Sequence, residues 1–400
     1  MGLPPVVGLE IGTSKTVALV GEMREDGYLM ITGAGELPSV GMRKGEIVDM
    51  SQAQAGVRSV LEMAEESAKV AIRQVHLAVS GGHIQSLVNR GVAPVFDPDS
   101  GIGPDDIQQV MDVARAVNLS ADREVLHTIC QDFRIDGQER VVNPEGMDGA
   151  KLEMNMLVLH GVRSRLHNAV RLVQDIPLDV EEVVFGGLCS AMACLTAEQR
   201  NSGVVLIDLG GGTTDYFVYA GNVVAAAGSL GVGGDHVTND IALAFNIPMA
   251  RAERLKREQG HALSETGSEA RRISLPAEVG FASRSISLNA LHTVVHARCD
   301  ELLGMVKARL GQAGVLPRIG AGVVVTGGGA HLAGVDKLVE KTFGLPCYRG
   351  FPRHVSGLAT ATEGPEYAAC AGLIQFGFKS MNEQRDWMPW SHWLKNIFRW

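Results

Sequence analysis

Apolar positions in this chain follow two spacings, and the way they alternate with polar turns predicts an α/β fold. Short apolar runs at residues 6–10, 15–21 and 28–34 predict three strands in an opening meander. Residues 51–71 then read as a helix, with Val57, Val60, Leu61, Ala64 and Ala68 at helical spacing. Val75 to Val79 is a strand. Between residues 85 and 163 the character changes: a Pro/Gly/Asp loop from Pro94 to Pro104, a helix over 104–117, then strands Val125–Phe133 and Met154–His160. Residues 164–175 return to helix, with Leu166, Val170 and Val173 on one face. Val204 to Ile207 begins a second strand block, and Tyr216–Val224 reads as a hairpin turning at Gly221-Asn222. Residues 234–292 read as helical and more polar, interrupted by a Ser/Glu/Gly loop from Leu263 to Ala270. A long helix, His292–Leu310, feeds a last apolar strand, Val323–Thr326.

Three of these strands run into glycine turns. The first reads Val6-Val7-Gly8-Leu9-Glu10-Ile11-Gly12-Thr13-Ser14-Lys15. The second reads Val204-Val205-Leu206-Ile207-Asp208-Leu209-Gly210-Gly211-Gly212-Thr213-Thr214-Asp215. The third, Val323 to Thr326, ends in Gly327-Gly328-Gly329. Ligands sit at the carboxyl ends of strands in such alternations, so the three turns can converge on one cleft. Successive backbone N–H groups in a tight turn form a concave anion site, and glycine lets the backbone approach a phosphate closely. Thr13, Ser14, Thr213 and Thr214 add hydroxyls and Lys15 a point charge. Glu10 and Asp208 repel phosphate, so they make sense with a Mg²⁺ between, held through its waters. The pattern points to a two-lobed nucleotide clamp. Two rival nucleotide motifs fail. There is no G-x-x-x-x-G-K-[ST], and Gly33-Ala34-Gly35 lacks the later glycine of a dinucleotide fingerprint, so it reads as a turn between strands.

Composition narrows the class. The 400 residues suit two lobes, each with its own core. A net charge of −9 argues against nucleic acid as a partner. The six cysteines form no C-x-x-C and read as reduced core thiols. His292 and His296 lie one helical turn apart, but no H-E-x-x-H is present, and they read as non-metal residues. Asn118-Leu119-Ser120 fits a glycosylation sequon and reads as incidental, since no signal peptide opens the chain. With no apolar run of spanning length, the body is expected to be soluble and cytoplasmic.

The last segment has its own pattern. All four tryptophans, Trp387, Trp390, Trp393 and Trp400, lie near the chain's end. With Pro389 as first helical residue, Trp390, Trp393, Leu394, Ile397, Phe398 and Trp400 share an arc of about 160°. Ser391, His392, Lys395, Asn396 and Arg399 occupy the other side. This predicts an interfacial amphipathic helix, its aromatics at the headgroup boundary and Lys395 and Arg399 on anionic lipid. A polar link from Lys379 is expected to precede it. Such a short tail gives weak, reversible attachment that a polymer of many copies would multiply.

Together the motifs resemble the superfamily of actin, heat-shock chaperones and sugar kinases. Cys189 to Leu195 and Tyr367 to Leu373 resemble its two connecting helices. Gly233-Gly234-Asp235 with Thr238 to Ala242 resembles the loop and helix after the second phosphate turn. Ala252-Glu253-Arg254-Leu255-Lys256 resembles the helix whose Glu and Lys meet ribose and adenine. Within the superfamily the chain resembles the FtsA family, actin-like division proteins that tether FtsZ to the membrane. Gly8 to Lys15, Gly41 to Asp49, Ser80 to Ile84 and Asn89 to Gly91 carry that likeness. The family usually has Asp where this chain has Glu10.

The resemblance implies a two-lobed, ribonuclease-H-like ATPase fold with an FtsA-type inserted subdomain and a C-terminal amphipathic helix. Lobe 1 would comprise 1–84, 164–197 and 354–378, with the insertion at 85–163. Lobe 2 would comprise 198–232 and 293–353, with a smaller subdomain at 233–292, a linker at 379–388 and the tail at 389–400. ATP with Mg²⁺ would bind between the lobes. Gly12, Thr13, Ser14, Lys15, Gly211, Gly212, Thr213 and Thr214 would hold phosphates, and Glu10 and Asp208 the hydrated metal. Gly233, Gly234, Glu253, Lys256, Gly327, Gly328 and Gly329 would meet the nucleoside. Arg271, Arg272 and Arg284 are candidate contacts for the C-terminal peptide of FtsZ. Hydrolysis is expected to be slow, with filaments on the inner face of the cell membrane at the division septum. Two alternatives stand beside it: a pilus-assembly adaptor of the PilM type, which shares the fold and inserted subdomain, and a sugar kinase, which shares the phosphate turns.

Overall fold

The computed structural model describes residues 4–24, 27–264, 271–277, 283–358 and 364–385. The opening meander is β1 (Val6–Ile11), β2 (Lys15–Met23) and β3 (Leu29–Pro38). In its register Glu10 faces Val17, and Val17 faces Glu36. A small ribbon, β4 (Met42–Arg43) and β5 (Glu46–Ile47), leads into α1 (Met50–Ala68). Asp49 starts this helix by accepting from the Gln52 N–H at 3.0 Å. Its buried face is Ala53, Val57, Val60, Leu61 and Ala64, as the spacing predicts.

Gly33 and Gly35 depart from expectation. They lie inside β3 rather than in a turn. A Cβ at Gly33 would sit 2.8 Å from the Ala64 carbonyl oxygen, and one at Gly35 would strike the carbonyl of Val60. These glycines let α1 press its backbone onto the strand.

β6 (Gln74–Val79) joins β1 in parallel. The inserted subdomain follows: β7 (Gln85–Pro94), α2 (Pro104–Arg115), β8 (Arg123–Ile135), β9 (Gln138–Val141) and β10 (Lys151–Val162). Its antiparallel sheet runs β7-β10-β8-β9. Val110, Met111 and Ala114 of α2 bury Ala93, Leu152, Met154 and Phe133 beneath them.

α3 (Arg163–Gln174), β11 (Asp179–Phe185) and α4 (Gly186–Cys194) return the chain to the first lobe, and α5 (Ala197–Ser202) leads out of it. A second meander then repeats the first: β12 (Val204–Leu209), β13 (Thr214–Tyr219) and β14 (Val224–Leu230). α6 (Gly234–Phe245) and α7 (Met249–Gln259) follow. Next comes a hairpin, β15 (Arg272–Leu275) with β16 (Arg284–Ser287), where the sequence reading has helix; residues 265–270 of the expected Ser/Glu/Gly loop lie outside the described residues. Each strand is four residues long, too short an alternation to stand out beside the helices around it. α8 (Leu288–Gln312) begins four residues earlier than the spacing suggests, because the Ser287 hydroxyl caps it through the Ala290 N–H.

β17 (Val323–Thr326), α9 (Val335–Phe343) and β18 (Cys347–Arg349) complete a second sheet in the order β14-β13-β12-β17-β18. β19 (Val355–Gly357) and α10 (Ala368–Arg385) close the first lobe, whose sheet runs β11-β6-β1-β2-β3-β19. α10 buries Cys370, Ile374 and Phe378 against Val6, Val17 and Leu19. The helix continues through Lys379 to Arg385, so most of the segment read as a polar link is helical. The amphipathic tail, with Trp390, Trp393, Leu394, Lys395, Ile397, Phe398, Arg399 and Trp400, lies outside the described residues. No helix among the described residues is long and apolar enough to cross a membrane.

The remaining candidate chemistry resolves into packing. His292 Nε2 lies 3.1 Å from the Gln259 carbonyl oxygen and His296 Nδ1 2.8 Å from that of Ala262. All six cysteines are free thiols.

Candidate functional site

The same turn is built twice. After β1 the Gly12 N–H donates to the Lys15 carbonyl at 3.0 Å, and after β12 the Gly210 N–H donates to the Thr213 carbonyl at 3.0 Å. Both corners stand at the carboxyl ends of strands that run through the middle of their sheets. They face each other. A Cβ at Gly211 would lie 3.0 Å from the Ser14 Cβ, and one at Gly212 would lie 2.7 Å from the Lys44 Cα. The Thr13 hydroxyl accepts from the Gly45 N–H at 2.7 Å, which holds the β4–β5 ribbon over the same crevice. A Cβ on Gly45 would in turn meet the Thr213 methyl at 2.8 Å.

The third corner joins them. β17 lies parallel to β12, with Thr326 beside Asp208. Gly327 has φ +79°, and a Cβ there would strike the Asp208 carboxylate. A Cβ on Gly329 would sit 2.6 Å from that of Leu209. Only glycine allows this backbone to close against the second turn.

Three carboxylates crowd the floor. Burial, reinforced by Asp208, pushes Glu10 up to about 8. Burial pushes Asp208 up to about 6, opposed by a hydrogen bond from the Ser190 hydroxyl to Oδ2 at 2.5 Å. Burial and then Asp208 push Asp215 up to about 7, while the Ser80 hydroxyl donates to its Oδ2 at 2.5 Å. Glu10 Oε2 is buried and accepts no hydrogen bond. An orphaned carboxylate oxygen beside two other buried acids fits a hydrated divalent cation, whose charge would offset the burial that raises all three groups and the repulsion from Asp208 that adds to it at Glu10 and Asp215. Glu10 and Asp208 could hold such an ion through its waters, since the longer Glu10 side chain still reaches the floor.

The other expected residues divide. Lys15 Nζ is 3.0 Å from Glu36 Oε2 and lies 3.5 Å from the centroid of the Tyr367 ring. Thr214 is fully buried, and its hydroxyl donates to the Val232 carbonyl rather than into the crevice. Gly233 and Gly234 lie against the second turn: the Gly234 N–H donates to the Gly210 carbonyl at 2.9 Å. A Cβ at Gly233 would come within 2.6 Å of the Gly210 and Gly211 carbonyl oxygens. Lys256 Nζ pairs with Glu253 at 2.6 Å and donates to the Gly234 carbonyl at 3.0 Å, which brings the Glu–Lys helix to the rim of the second turn. Gly328 has open space around it. Arg271, Arg272 and Arg284 stand apart at the β15–β16 hairpin. Arg272 donates to Ser285 at 2.8 and 2.9 Å, and Arg284 to the Asn246 carbonyl.

Sequence reasoning passed over Asp215, Ser80, Ser190, Glu36 and Tyr367. Asp215 ends the second motif and Ser190 lies in a connecting helix, so both were visible in quoted segments. Ser80 opens a segment that carries the family likeness and Tyr367 opens the second connecting-helix segment, whereas Glu36 reaches the site from near the end of β3, where no motif marks it.

Comparisons with known proteins bear on the fold and the family. The family model described as "Cell division protein FtsA" matches residues 205–372, and "SHS2 domain inserted in FTSA" matches 81–160. The chain is 36% identical over 378 residues to the cell division protein FtsA of Pseudomonas aeruginosa, covering 94% of this chain and 90% of that one. It is 33% identical over 408 residues to that of Escherichia coli K12, covering 99% and 97%. Among solved structures, the PilM-PilN type IV pilus biogenesis complex matches with TM-score 0.63 at 16% identity, covering 93% of this chain and 98% of that one. MreB 5 of Spiroplasma citri bound to AMPPNP matches with TM-score 0.55 at 14% identity, covering 97% and 100%. These two likenesses establish the actin-like fold.

Proposed function

Because the chain belongs to the FtsA family of cell division proteins, we propose that it binds ATP between its lobes, polymerises, and tethers FtsZ filaments to the cytoplasmic membrane. The observation that carries this reading is the meeting of Gly211 and Gly212 with Ser14 and Thr13 across one crevice. Two anion-binding corners from separate sheets have a common purpose only if one ligand spans them. The AMPPNP carried by the MreB 5 structure supports a nucleoside triphosphate as that ligand.

In this reading the backbone amides around Gly12–Lys15 and Gly211–Thr213 cradle the phosphates. Glu10 and Asp208 hold hydrated Mg²⁺, which offsets phosphate charge. Gly327 to Gly329, Gly233 and Gly234 border the nucleoside, and Glu253 and Lys256 meet ribose and adenine. Asp215, held by Ser80 of the opposite lobe, ties ligand occupancy to lobe closure. Nucleotide then gates assembly more than it supplies product. The arginine hairpin of Arg271, Arg272 and Arg284 is the proposed seat of the C-terminal peptide of FtsZ. Residues 389–400 bind lipid weakly one by one, and a filament multiplies that attachment.

Liposome co-sedimentation tests the tether. The full chain is compared with one ending at Arg385, each with and without ATP and FtsZ. The account expects the full chain to pellet and bring FtsZ with it, and the shortened chain to stay in solution. Equal pelleting of both forms contradicts it.

A further inference from the structure

Lys15 is the one cation that the first phosphate turn contributes, yet its ammonium is held by two groups that belong to neither turn. Glu36 reaches it from β3 at 3.0 Å. Tyr367 offers its ring face at 3.5 Å, a close cation–π contact. The three groups are built to meet. Val17 lies opposite Glu36 in the β2–β3 ladder, so Lys15 and Glu36 project from the same face of the sheet. Tyr367 closes a short turn, Pro365–Tyr367, immediately before α10.

That short turn is anchored to the other lobe. The Pro365 carbonyl accepts from the Gly327 N–H at 3.1 Å and from the Thr326 hydroxyl at 3.1 Å. Glu366 Oε2 lies 2.7 Å from His331 Nε2. The third glycine corner and the tyrosine that covers Lys15 are thus fastened together. Burial and then hydrogen bonding to Glu36 push the Tyr367 phenol up, in keeping with a Tyr367–Glu36 pairing around the lysine.

We propose that Glu36 and Tyr367 are positioning residues that hold Lys15 in a holster beside the phosphate cradle, so that a polyphosphate must compete for it. The inference rests on the nucleotide reading of the cleft and deepens it. The lysine leaves Glu36 only for a ligand with enough negative charge at the β and γ positions. The holster therefore sets a charge threshold: it weakens every polyphosphate somewhat and leaves ligands without those phosphates unaffected. Because Tyr367 is tied to the Gly327 corner, lobe closure and release of the lysine move together.

Calorimetric titration of the full chain with Mg-ATP and with AMP tests this. Glu36→Gln is expected to bind ATP about threefold more tightly, the size of a partly exposed ion pair, with AMP affinity unchanged. Tyr367→Leu shifts the ATP-to-AMP ratio the same way, and Tyr367→Phe, which keeps the ring, holds it near the starting value. In a Lys15→Ala background Glu36→Gln has no effect, which separates the holster from a general effect on folding. The proposal is overturned if Glu36→Gln leaves ATP affinity unchanged or weakens it, or if its effect persists without Lys15. If the unaltered chain binds no ATP, the nucleotide reading itself fails, a distinct result.

Discussion

Replacing Gly212 with alanine probes the contact between the lobes with a single methyl group. The added Cβ would lie 2.7 Å from the Lys44 Cα and would also strike Thr13. Lys44 Cα is backbone and cannot swing aside. The shortfall from the 3.4 Å of ordinary contact is about 0.7 Å, more than neighbours can absorb by small shifts. Overpacking of this kind costs about 1–3 kcal/mol. Here the cheapest relief is to part the lobes, because Gly212 and Lys44 belong to different ones. The cost then falls on the closed state and not on either core. Affinity for Mg-ATP should fall about 5- to 150-fold, while the unfolding midpoint without nucleotide stays within about 2 °C, since each core is intact. Titration calorimetry and thermal unfolding on the same preparation separate the two. The reasoning is refuted if Gly212→Ala keeps ATP affinity within twofold, or if it unfolds the apo protein while leaving binding intact.

Three further outcomes follow. Gly35→Ala should destabilise the first lobe by about 1–3 kcal/mol in urea unfolding, because the new methyl meets the Val60 carbonyl of α1. Gly304→Ala should stabilise by up to about 1 kcal/mol, since Gly304 is exposed within α8 and a Cβ there meets nothing within 4 Å. The third concerns pH. Glu10, Asp208 and Asp215 have folded pKa values of about 8, 6 and 7, all above their ordinary range, so the folded apo protein binds more protons than the unfolded chain. Their contribution is fully present below the ordinary carboxylate values and is lost as pH rises toward about 8. Urea unfolding should show apo stability falling across that window, by at most about 1.4 kcal/mol per unit for each group titrating. Glu10→Gln should flatten the upper part of the slope, and an unchanged slope would count against the buried carboxylate cluster.

The strands and glycine corners were legible because they are local. A strand of Val, Leu and Ile ending in an acid and a glycine turn carries both its structure and its chemistry within a dozen residues. α1 was legible for the same reason, since Val57, Val60, Leu61 and Ala64 record one buried face. The misread features depend on contacts far away in sequence. Gly33 and Gly35 look like turn residues, and only the approach of α1 shows why no side chain fits there. Thr214 looks like a phosphate donor beside Thr213, but the alternation of β13 turns it inward to Val232. Lys15 keeps its phosphate reading, but the groups that hold it, Glu36 and Tyr367, lie 21 and 352 residues away and left no local signal. The hairpin of β15 and β16 was hidden because its strands are short and sit between two helices. Carboxylate placement was half legible: the acids of the first two corners stood out, and Asp215 took on meaning only when Ser80 came to it from the opposite lobe.

The claim beneath all of this is that two amide corners enclose one triphosphate. A crystal structure of the full chain with Mg²⁺ and a non-hydrolysable ATP analogue addresses it most directly. The account predicts β- and γ-phosphates lying between Gly12–Lys15 and Gly211–Thr213, with the metal's waters against Glu10 and Asp208. An analogue touching only one corner, or seated elsewhere on the chain, would contradict it.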